Sequence, residues 1–334
     1  MTLNRIFLGF MLGAWLLAGC TKETAPQGAE TEELEPIELG LAIDETRALL
    51  RTDITESVMH DNSKGFQCMV LNAANNATLY TANSSYVSGT KYRLKVGSTL
   101  QYWPRTGNRS FYAYSLGGSG TDVRSLTNTG GNVTLEVKSA NQEEDWWPGE
   151  TDVICAKALN QAPKSNPTVA FSHILSWVSQ VEIRLTSAAA ASGVTITCQN
   201  ITFTAPRYGT YSLTNNSWSI PTTNKEYTFL SSNKTISGTT VLTGGDTNVT
   251  DYIVIPCTSS TRLSKFSVTW SVATSAGTDI YTRSASLTFP AGKKNKVTIT
   301  LDDKGKDVSF SGASWDFDTL TDNNGTLGTG VGVR

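Results

Sequence analysis

The sequence predicts an all-β protein built from β-sandwiches. It is rich in Thr, Ser, Asn, Gly and Val, and only 17% of its 334 residues are charged. No long segment has the 3.6-residue period of an amphipathic helix. Short runs in which apolar and polar residues alternate recur along the chain, and turn-forming pairs such as Asn75-Asn76 and Gly130-Gly131 separate them. This pattern is typical of sandwiches, in which each strand buries one face.

The N-terminus has the features of a lipoprotein signal peptide. The apolar run over residues 6–18 is too short to span a bilayer and has the layout of a secretory signal. Ala18 and Gly19 directly precede Cys20, which is the arrangement of a lipobox, where the cysteine thiol is lipidated and becomes the mature N-terminus. We therefore predict a signal peptide over residues 1–19 and a precursor anchored in the outer membrane by a lipid on Cys20.

A flexible tether and two domains are predicted to follow. Residues 20–35 are rich in Thr, Glu, Ala, Gly and Pro and cannot bury a core. The rest of the chain is long enough for two ordinary domains. A run of small residues at 187–193 is the best candidate for a boundary, although a single helical turn also fits there. The predicted limits are 36–188 for an N-terminal β-sandwich and 189–334 for a C-terminal one.

The first predicted strand spans residues 37–43. Its apolar residues occupy every second position, which is the period of a strand buried on one face only: they are Ile37, Leu39, Leu41 and Ile43. Loss of this strand would expose backbone donors and acceptors together with part of a core. The sequence thus predicts a strand whose removal creates a site for another strand.

Two arginines follow this strand in a polar segment that suits a protease. They form the bonds Arg47-Ala48 and Arg51-Thr52, and a cut at either would separate the first strand from the rest of the chain. Arg47 in isolation would be interpreted as an ordinary surface residue of a loop, and it is the lipobox and the preceding strand that favour processing.

The remaining strands are predicted from the same alternation. In the first half they lie at 66–73, 91–96, 99–103, 110–116, 133–137, 153–158 and 169–185. In the second half they lie at 194–204, 211–213, 227–230, 252–255, 265–272, 280–289 and 296–301, with a last pair at 308–310 and 314–317. Residues 319–334 are rich in Gly and Thr and would not fold alone.

The chain has five cysteines. Apart from Cys20, they lie within predicted strands and lack the spacing of a disulfide framework or a CxxC site: Cys68, Cys155, Cys198 and Cys257. We predict buried free thiols, while disulfides stay an alternative because an exported chain can form them.

Composition and motifs argue against several function classes. A net charge of −2 without a basic stripe argues against nucleic-acid binding. The chain has only two histidines, His60 and His173, and it contains neither a nucleophile elbow nor an HExxH motif. We therefore predict that it is not an enzyme, binds no metal and needs no cofactor. The acidic stretch at 143–145 matches no calcium-loop spacing. Trp146 and Trp147 leave glycan binding as an alternative function, if their rings lie exposed side by side.

Three stretches together resemble the fimbrillin family. Residues 101–104 (QYWP) precede 111–114 (FYAY), residues 152–156 (DVICA) lead into 169–176 (VAFSHILS), and residues 289–293 (FPAGK) precede an alternating strand. In this order they are similar to the Mfa-like and FimA-like type V pilin subunits of Bacteroidales-type bacteria. The resemblance covers nearly the whole chain.

The resemblance implies a fold and an assembly mechanism. The implied fold is two tandem transthyretin-like β-sandwiches, in a lipoprotein precursor that an arginine-specific protease trims. The implied cut is at Arg47-Ala48, with Arg51-Thr52 in reserve. After it, a strand from another pilin subunit replaces the first strand by donor-strand exchange, building adhesive fimbriae on the cell surface.

The implied partners are other pilin subunits, the protease, the outer membrane and a host or bacterial receptor. The glycine-rich residues 328–334 match no donor strand of the family. Shaft, tip and uncleaved anchor roles therefore stay open.

Overall fold

The computed structural model describes residues 34–43, 65–117, 125–138, 152–206, 208–221, 224–258, 263–306 and 308–315. These residues form strands grouped into several sheets, and the one helix among them, α1, spans only Ser187–Ala191. The all-β prediction is confirmed. No helix in the described part of the chain is long and apolar enough to cross a membrane.

The first sheet closes on itself. Its eight strands lie in the order β1 (Glu38–Ile43), β10 (Thr168–His173), β9 (Asp152–Gln161), β6 (Arg109–Gly117), β2 (Gln67–Asn72), β3 (Thr78–Ser88), β4 (Lys91–Val96) and β5 (Thr99–Leu100). Because β1 also pairs with β4, all of these strands except β5 form a ring, which we call the closed sheet. β1 is therefore the strand that completes the ring between β4 and β10.

Large apolar side chains fill the interior of the closed sheet. Alternation along each strand sends every second side chain inward. The rings of Phe66 and Tyr92 lie 5.3 Å apart, and those of Phe66 and Phe171 lie 5.4 Å apart. Leu39 of β1 packs in the same cluster and is fully buried. β1 thus supplies part of the core as well as part of the sheet.

A small second sheet joins strands from the two halves of the chain. Its order is β14 (Ser217–Ser219), β13 (Tyr208–Ser212), β8 (Asn132–Lys138) and β7 (Leu126–Thr129). A second core, distinct from that of the closed sheet, contains Tyr112 and Tyr114 of β6 and Leu135 of β8. The outward face of part of the closed sheet is therefore buried too.

Two further sheets enclose a third core. One has the order β17 (Thr240–Thr243), β11 (Ser176–Leu185), β21 (Lys293–Leu301) and β22 (Ser309–Trp315), with β18 (Tyr252–Val254) also paired to β11. The other has the order β15 (Asn224–Leu230), β12 (Thr195–Pro206), β19 (Ser264–Thr274) and β20 (Gly277–Leu287), with β16 (Lys234–Ile236) also paired to β12. Phe203 and Trp270, both fully buried, lie in the core of these sheets.

The single strand predicted over 169–185 is wrong, because two strands lie there. β10 belongs to the closed sheet and β11 pairs with β21. Ile174 and Leu175, between them, are buried, and the Leu175 carbonyl accepts a hydrogen bond from the Gly292 amide (2.7 Å). The alternation is uninterrupted in sequence because the chain stays buried while it passes from one sheet to the next. The last predicted pair of strands is likewise wrong, since β22 is one strand.

The domain limits of 36–188 and 189–334 stay a prediction. The described residues from Glu35 onward cluster as one compact unit. The change of sheet comes at Ile174 and Leu175, and α1 lies between β11 and β12. Thr186 caps α1 by accepting a hydrogen bond from the Ala189 amide (3.2 Å).

The four cysteines of the described residues are buried free thiols, as predicted. Three of them, Cys68, Cys198 and Cys257, have at most 1% of their surface exposed. Burial raises the pKa of Cys198 and Cys257 to about 12 and shifts the pKa of Cys68 in the same direction. Cys155 is 7% exposed and lines a cavity of about 340 Å³ together with Tyr211.

These environments predict an order of thiol reactivity. In the folded chain at pH 8, an alkylating reagent should modify Cys155 first, because it lines the cavity and the other three thiols are sealed and protonated. All four should react after unfolding in denaturant. Peptide mapping by mass spectrometry measures the order, and a disulfide between any two of them, or equal rates in the folded state, would contradict the prediction.

Candidate functional site in the groove of the first strand

β1 lies in a groove between two strands that do not pair with each other. Residues Glu38, Leu39 and Gly40 pair antiparallel with β4, and residues 40–43 pair parallel with β10. We call the edges of β4 and β10, with the buried side chains between them, the first-strand groove. Gly40 is the residue at which the two pairings overlap.

Backbone hydrogen bonds hold β1 on both sides. The Gly40 amide donates to the Pro167 carbonyl, next to β10, at 2.9 Å. On the other side, bonds of 2.8–3.3 Å join the amide of Ile37 to the carbonyl of Gln101, the amide of Leu41 to the carbonyl of Thr90, and the amide of Leu94 to the carbonyl of Ile37. A strand bonded along two edges leaves slowly unless another strand replaces these bonds.

The inward face of β1 is sealed. Ile37, Leu39 and Leu41 have 1%, 0% and 5% of their surface exposed. At about 1.5–3 kcal/mol for each buried side chain, the three contribute at most roughly 4.5–9 kcal/mol. That amount is comparable to the whole stability of a domain. The predicted strand is confirmed; the side chain of Ile43, in the same strand, lies outside the described residues.

The outward face of β1 carries one charge and one close contact. Glu38 Oε1 accepts a hydrogen bond from Arg93 Nε (2.9 Å) and lies 2.8 Å from Arg93 Nη2 in the same ion pair. The other carboxylate oxygen, Oε2, lies 3.9 Å from Nζ of Lys91. Gly40 faces Thr168 so closely that a Cβ atom on residue 40 would lie 2.8 Å from Thr168 Oγ1. Neither Arg93 nor Thr168 stands out in the sequence, because their roles depend on strand pairing.

The predicted processing and lipidation residues lie outside the described residues. They are Cys20, Arg47, Ala48, Arg51 and Thr52. Arg47 and Arg51 lie in sequence between the end of β1 at Ile43 and the start of β2 at Gln67. A cut at either position would therefore leave β1 joined to the rest of the fold by noncovalent contacts alone.

The other predicted residues do not pair with β1 or lie outside the described residues. His173 is 9% exposed at the end of β10. His60, Trp146 and Trp147 lie outside the described residues, so the glycan-platform interpretation stays a prediction. Within the described segments, no group of three or more His, Cys, Asp or Glu side chains is placed to hold a metal ion.

A sequence profile of a family described as Fimbrillin-like matches residues 46–315 of the chain. No curated protein matches the sequence. Among solved structures, a fimbrial protein from Bacteroides vulgatus aligns with a TM-score of 0.57 and 16% identity, over 84% of this chain and 99% of that chain. At this identity the likeness shows the fold alone.

Two further solved structures align over similar lengths. A candidate cell adhesion protein from Bacteroides uniformis has a TM-score of 0.46 and 16% identity, over 84% of this chain and 98% of that chain. The tip fimbrial protein Mfa3 from Porphyromonas gingivalis has a TM-score of 0.42 and 10% identity, over 84% of this chain and 99% of that chain.

Proposed function

The chain belongs to the fimbrillin-like family, and from that premise we propose that it is a pilin subunit that polymerises by donor-strand exchange after losing β1. The family consists of fimbrial and cell-adhesion proteins, which are structural and not enzymatic. Within that class, we propose that the chain is exported as a lipoprotein through Cys20 and is cut after Arg47, or after Arg51. Its fold is proposed to comprise two tandem transthyretin-like β-sandwiches.

The position of β1 supports this proposal most strongly. β1 completes the closed sheet, is hydrogen-bonded on both edges, and buries three large side chains in the core. Arg47 follows it by only a few residues in the sequence. A cut followed by the departure of β1 would therefore convert a completed sheet into one with two open edges and an exposed apolar floor, which is a template for an incoming strand.

The proposed partners follow from this mechanism. Other pilin subunits supply the incoming strand, and an arginine-specific protease makes the cut. The lipid on Cys20 holds the precursor in the outer membrane until the cut releases residues 20–47. The assembled fimbria then presents the subunit at the cell surface to a host or bacterial receptor.

Limited digestion of the full chain with an arginine-specific protease tests the mechanism. We expect a new N-terminus at Ala48 or Thr52, followed by a ladder of multimers that resists detergent unless the sample is boiled, because a fully bonded strand leaves slowly. The matched control is the double variant Arg47→Lys, Arg51→Lys, which keeps both charges, resists the cut and should stay monomeric.

A clean cut with loss of residues before Ala48, but without multimers, would overturn strand exchange. The mass of the mature form on the cell surface separates the subunit from an uncleaved anchor. Retention of Cys20 with its lipid in that form would overturn the proposed trimming and favour the anchor role.

A further inference from the structure

The outward face of β1 carries two contacts that the mere closure of a sheet does not require. We propose that the first-strand groove selects its strand by charge and size, accepting a strand with an acidic residue at the position of Glu38 and glycine at the position of Gly40. This inference rests on the proposed strand exchange. Its expected occupant is a segment of a pilin subunit with the pattern apolar, acidic, apolar, glycine, apolar.

The charge selection comes from two cations on β4. Arg93 donates a hydrogen bond from Nε to Glu38 and also forms an ion pair with it through Nη2, and Lys91 lies near the other carboxylate oxygen. The Glu38 side chain is only 17% exposed, so this pair is screened less than an open surface pair. When β1 leaves, both cations stay on the edge of β4. They would attract an acidic side chain and repel a basic one.

The size selection comes from β10. A Cβ atom at position 40 would meet Thr168 Oγ1 at 2.8 Å, whereas Cα and Cβ of Thr168 lie at 3.5 Å, an ordinary contact distance. Thr168 is β-branched and paired directly with Gly40, so few rotamers are open to its hydroxyl. A residue larger than glycine at position 40 therefore requires either a different Thr168 rotamer or a wider separation of β1 and β10.

Together the two contacts define the register of the incoming strand. Apolar alternation alone permits a shift by two residues, because every second side chain would still point inward. Such a shift moves the acid away from Arg93 and places a side chain against Thr168. Glu38 and Gly40, two residues apart, therefore specify one alignment among those that the core accepts.

Competition with a synthetic strand tests this selection. The full chain is cut with the arginine-specific protease in the presence of an excess of a fluorescent peptide of residues 36–43, and peptide retained by the protein after gel filtration is measured. We expect capture of the parent peptide and about two- to fivefold weaker capture of the Glu38→Gln peptide, since it loses an ion pair whose cations are partly exposed. The Glu38→Lys and Gly40→Val peptides should be captured still less.

Matched variants separate selection from a general loss of strand formation. Ala42 is exposed and faces outward, so the Ala42→Val peptide should be captured like the parent. Arg93→Glu in the protein should reverse the preference between the parent and Glu38→Lys peptides. A Gly40→Ala peptide should be captured less than the parent by the wild-type protein. The Thr168→Ala protein should capture it like the parent, because the change removes the hydroxyl that would lie 2.8 Å from a Cβ atom at position 40.

The outcomes distinguish this inference from the proposed function. Equal capture of all peptides by the cut protein would overturn the selection while leaving strand exchange intact. Failure to capture even the parent peptide, after a verified cut and loss of β1, would overturn the exchange mechanism itself. Preference for the parent, reversed by Arg93→Glu, supports the selection.

Discussion

Replacement of Leu39 with aspartate is expected to lower the free energy of unfolding by roughly 4–6 kcal/mol. Leu39 is fully buried in the closed sheet, so the change removes about 1.5–3 kcal/mol of apolar burial and adds several kcal/mol for an unpaired carboxylate in the core. A loss of that size is a large fraction of the 5–15 kcal/mol typical of a native protein. Urea denaturation followed by circular dichroism measures it.

The matched control is Ala42→Asp, which places the same charge on the exposed face of the same strand. It should change the free energy of unfolding by about 0.5 kcal/mol or less. The Leu39→Asp chain should also capture the peptide of residues 36–43 without proteolysis, because its own strand no longer fits the first-strand groove. If Leu39→Asp lowered the free energy of unfolding as little as Ala42→Asp does, β1 would contribute little to the stability of the fold.

Glu182→Ala is expected to lower the free energy of unfolding by roughly 3–5 kcal/mol, because it leaves a buried cation without its partner. Glu182 of β11 and Lys296 of β21 are 2% and 5% exposed, and their charged groups are in contact; Arg184 also binds Glu182. The double variant Glu182→Leu, Lys296→Met should be close to the wild type or more stable, since it removes both charges. Chemical denaturation of the wild type, the Glu182→Ala variant and the double variant measures the three free energies of unfolding.

The control for this pair is Glu35→Ala. Glu35 forms an exposed pair with Lys164 at 3.8 Å, and its loss should cost under about 1 kcal/mol. A small effect of Glu182→Ala, similar to that of Glu35→Ala, would contradict the prediction.

The same pair gives the stability a pH dependence. Burial alone would raise the pKa of Glu182, but the hydrogen bonds and charges of Lys296 and Arg184 outweigh it and hold the pKa below its ordinary value of 4.5. A carboxyl group with a lowered pKa stabilises the fold above its ordinary pKa, and this contribution is lost as the pH falls through the folded value. The wild type should therefore lose stability below about pH 4.5 more steeply than the double variant.

Local alternation was enough to predict several features. It identified β1 and the inward direction of Ile37, Leu39 and Leu41, because a period of two depends only on neighbouring residues. It also placed Cys68, Cys155 and Cys198 in strands, where they are buried, whereas the equally buried Cys257 lies beyond the end of β18 in an isolated bridge with Phe289. The family resemblance, which depended on ordered short motifs, is confirmed by the match over residues 46–315.

The alternation of apolar and polar residues did not reveal a strand without a continuous buried face. It also did not reveal where the chain passes from one sheet to another. β3 was not predicted, because in Thr78–Ser88 only Ala82 is buried and the strand is held by its hydrogen bonds to β2 and β4. The break between β10 and β11 was missed for the opposite reason, since Ile174 and Leu175 stay buried across it.

The sequence by itself determined that a strand precedes Arg47 and which of its faces is apolar, because both follow from the order of neighbouring side chains. Only the tertiary structure decided that this strand completes a closed sheet between β4 and β10, and that Arg93 and Thr168 face Glu38 and Gly40. Arg93 lies 55 positions from Glu38 along the chain. Such pairings are set by the packing of the whole sheet, which no local pattern specifies.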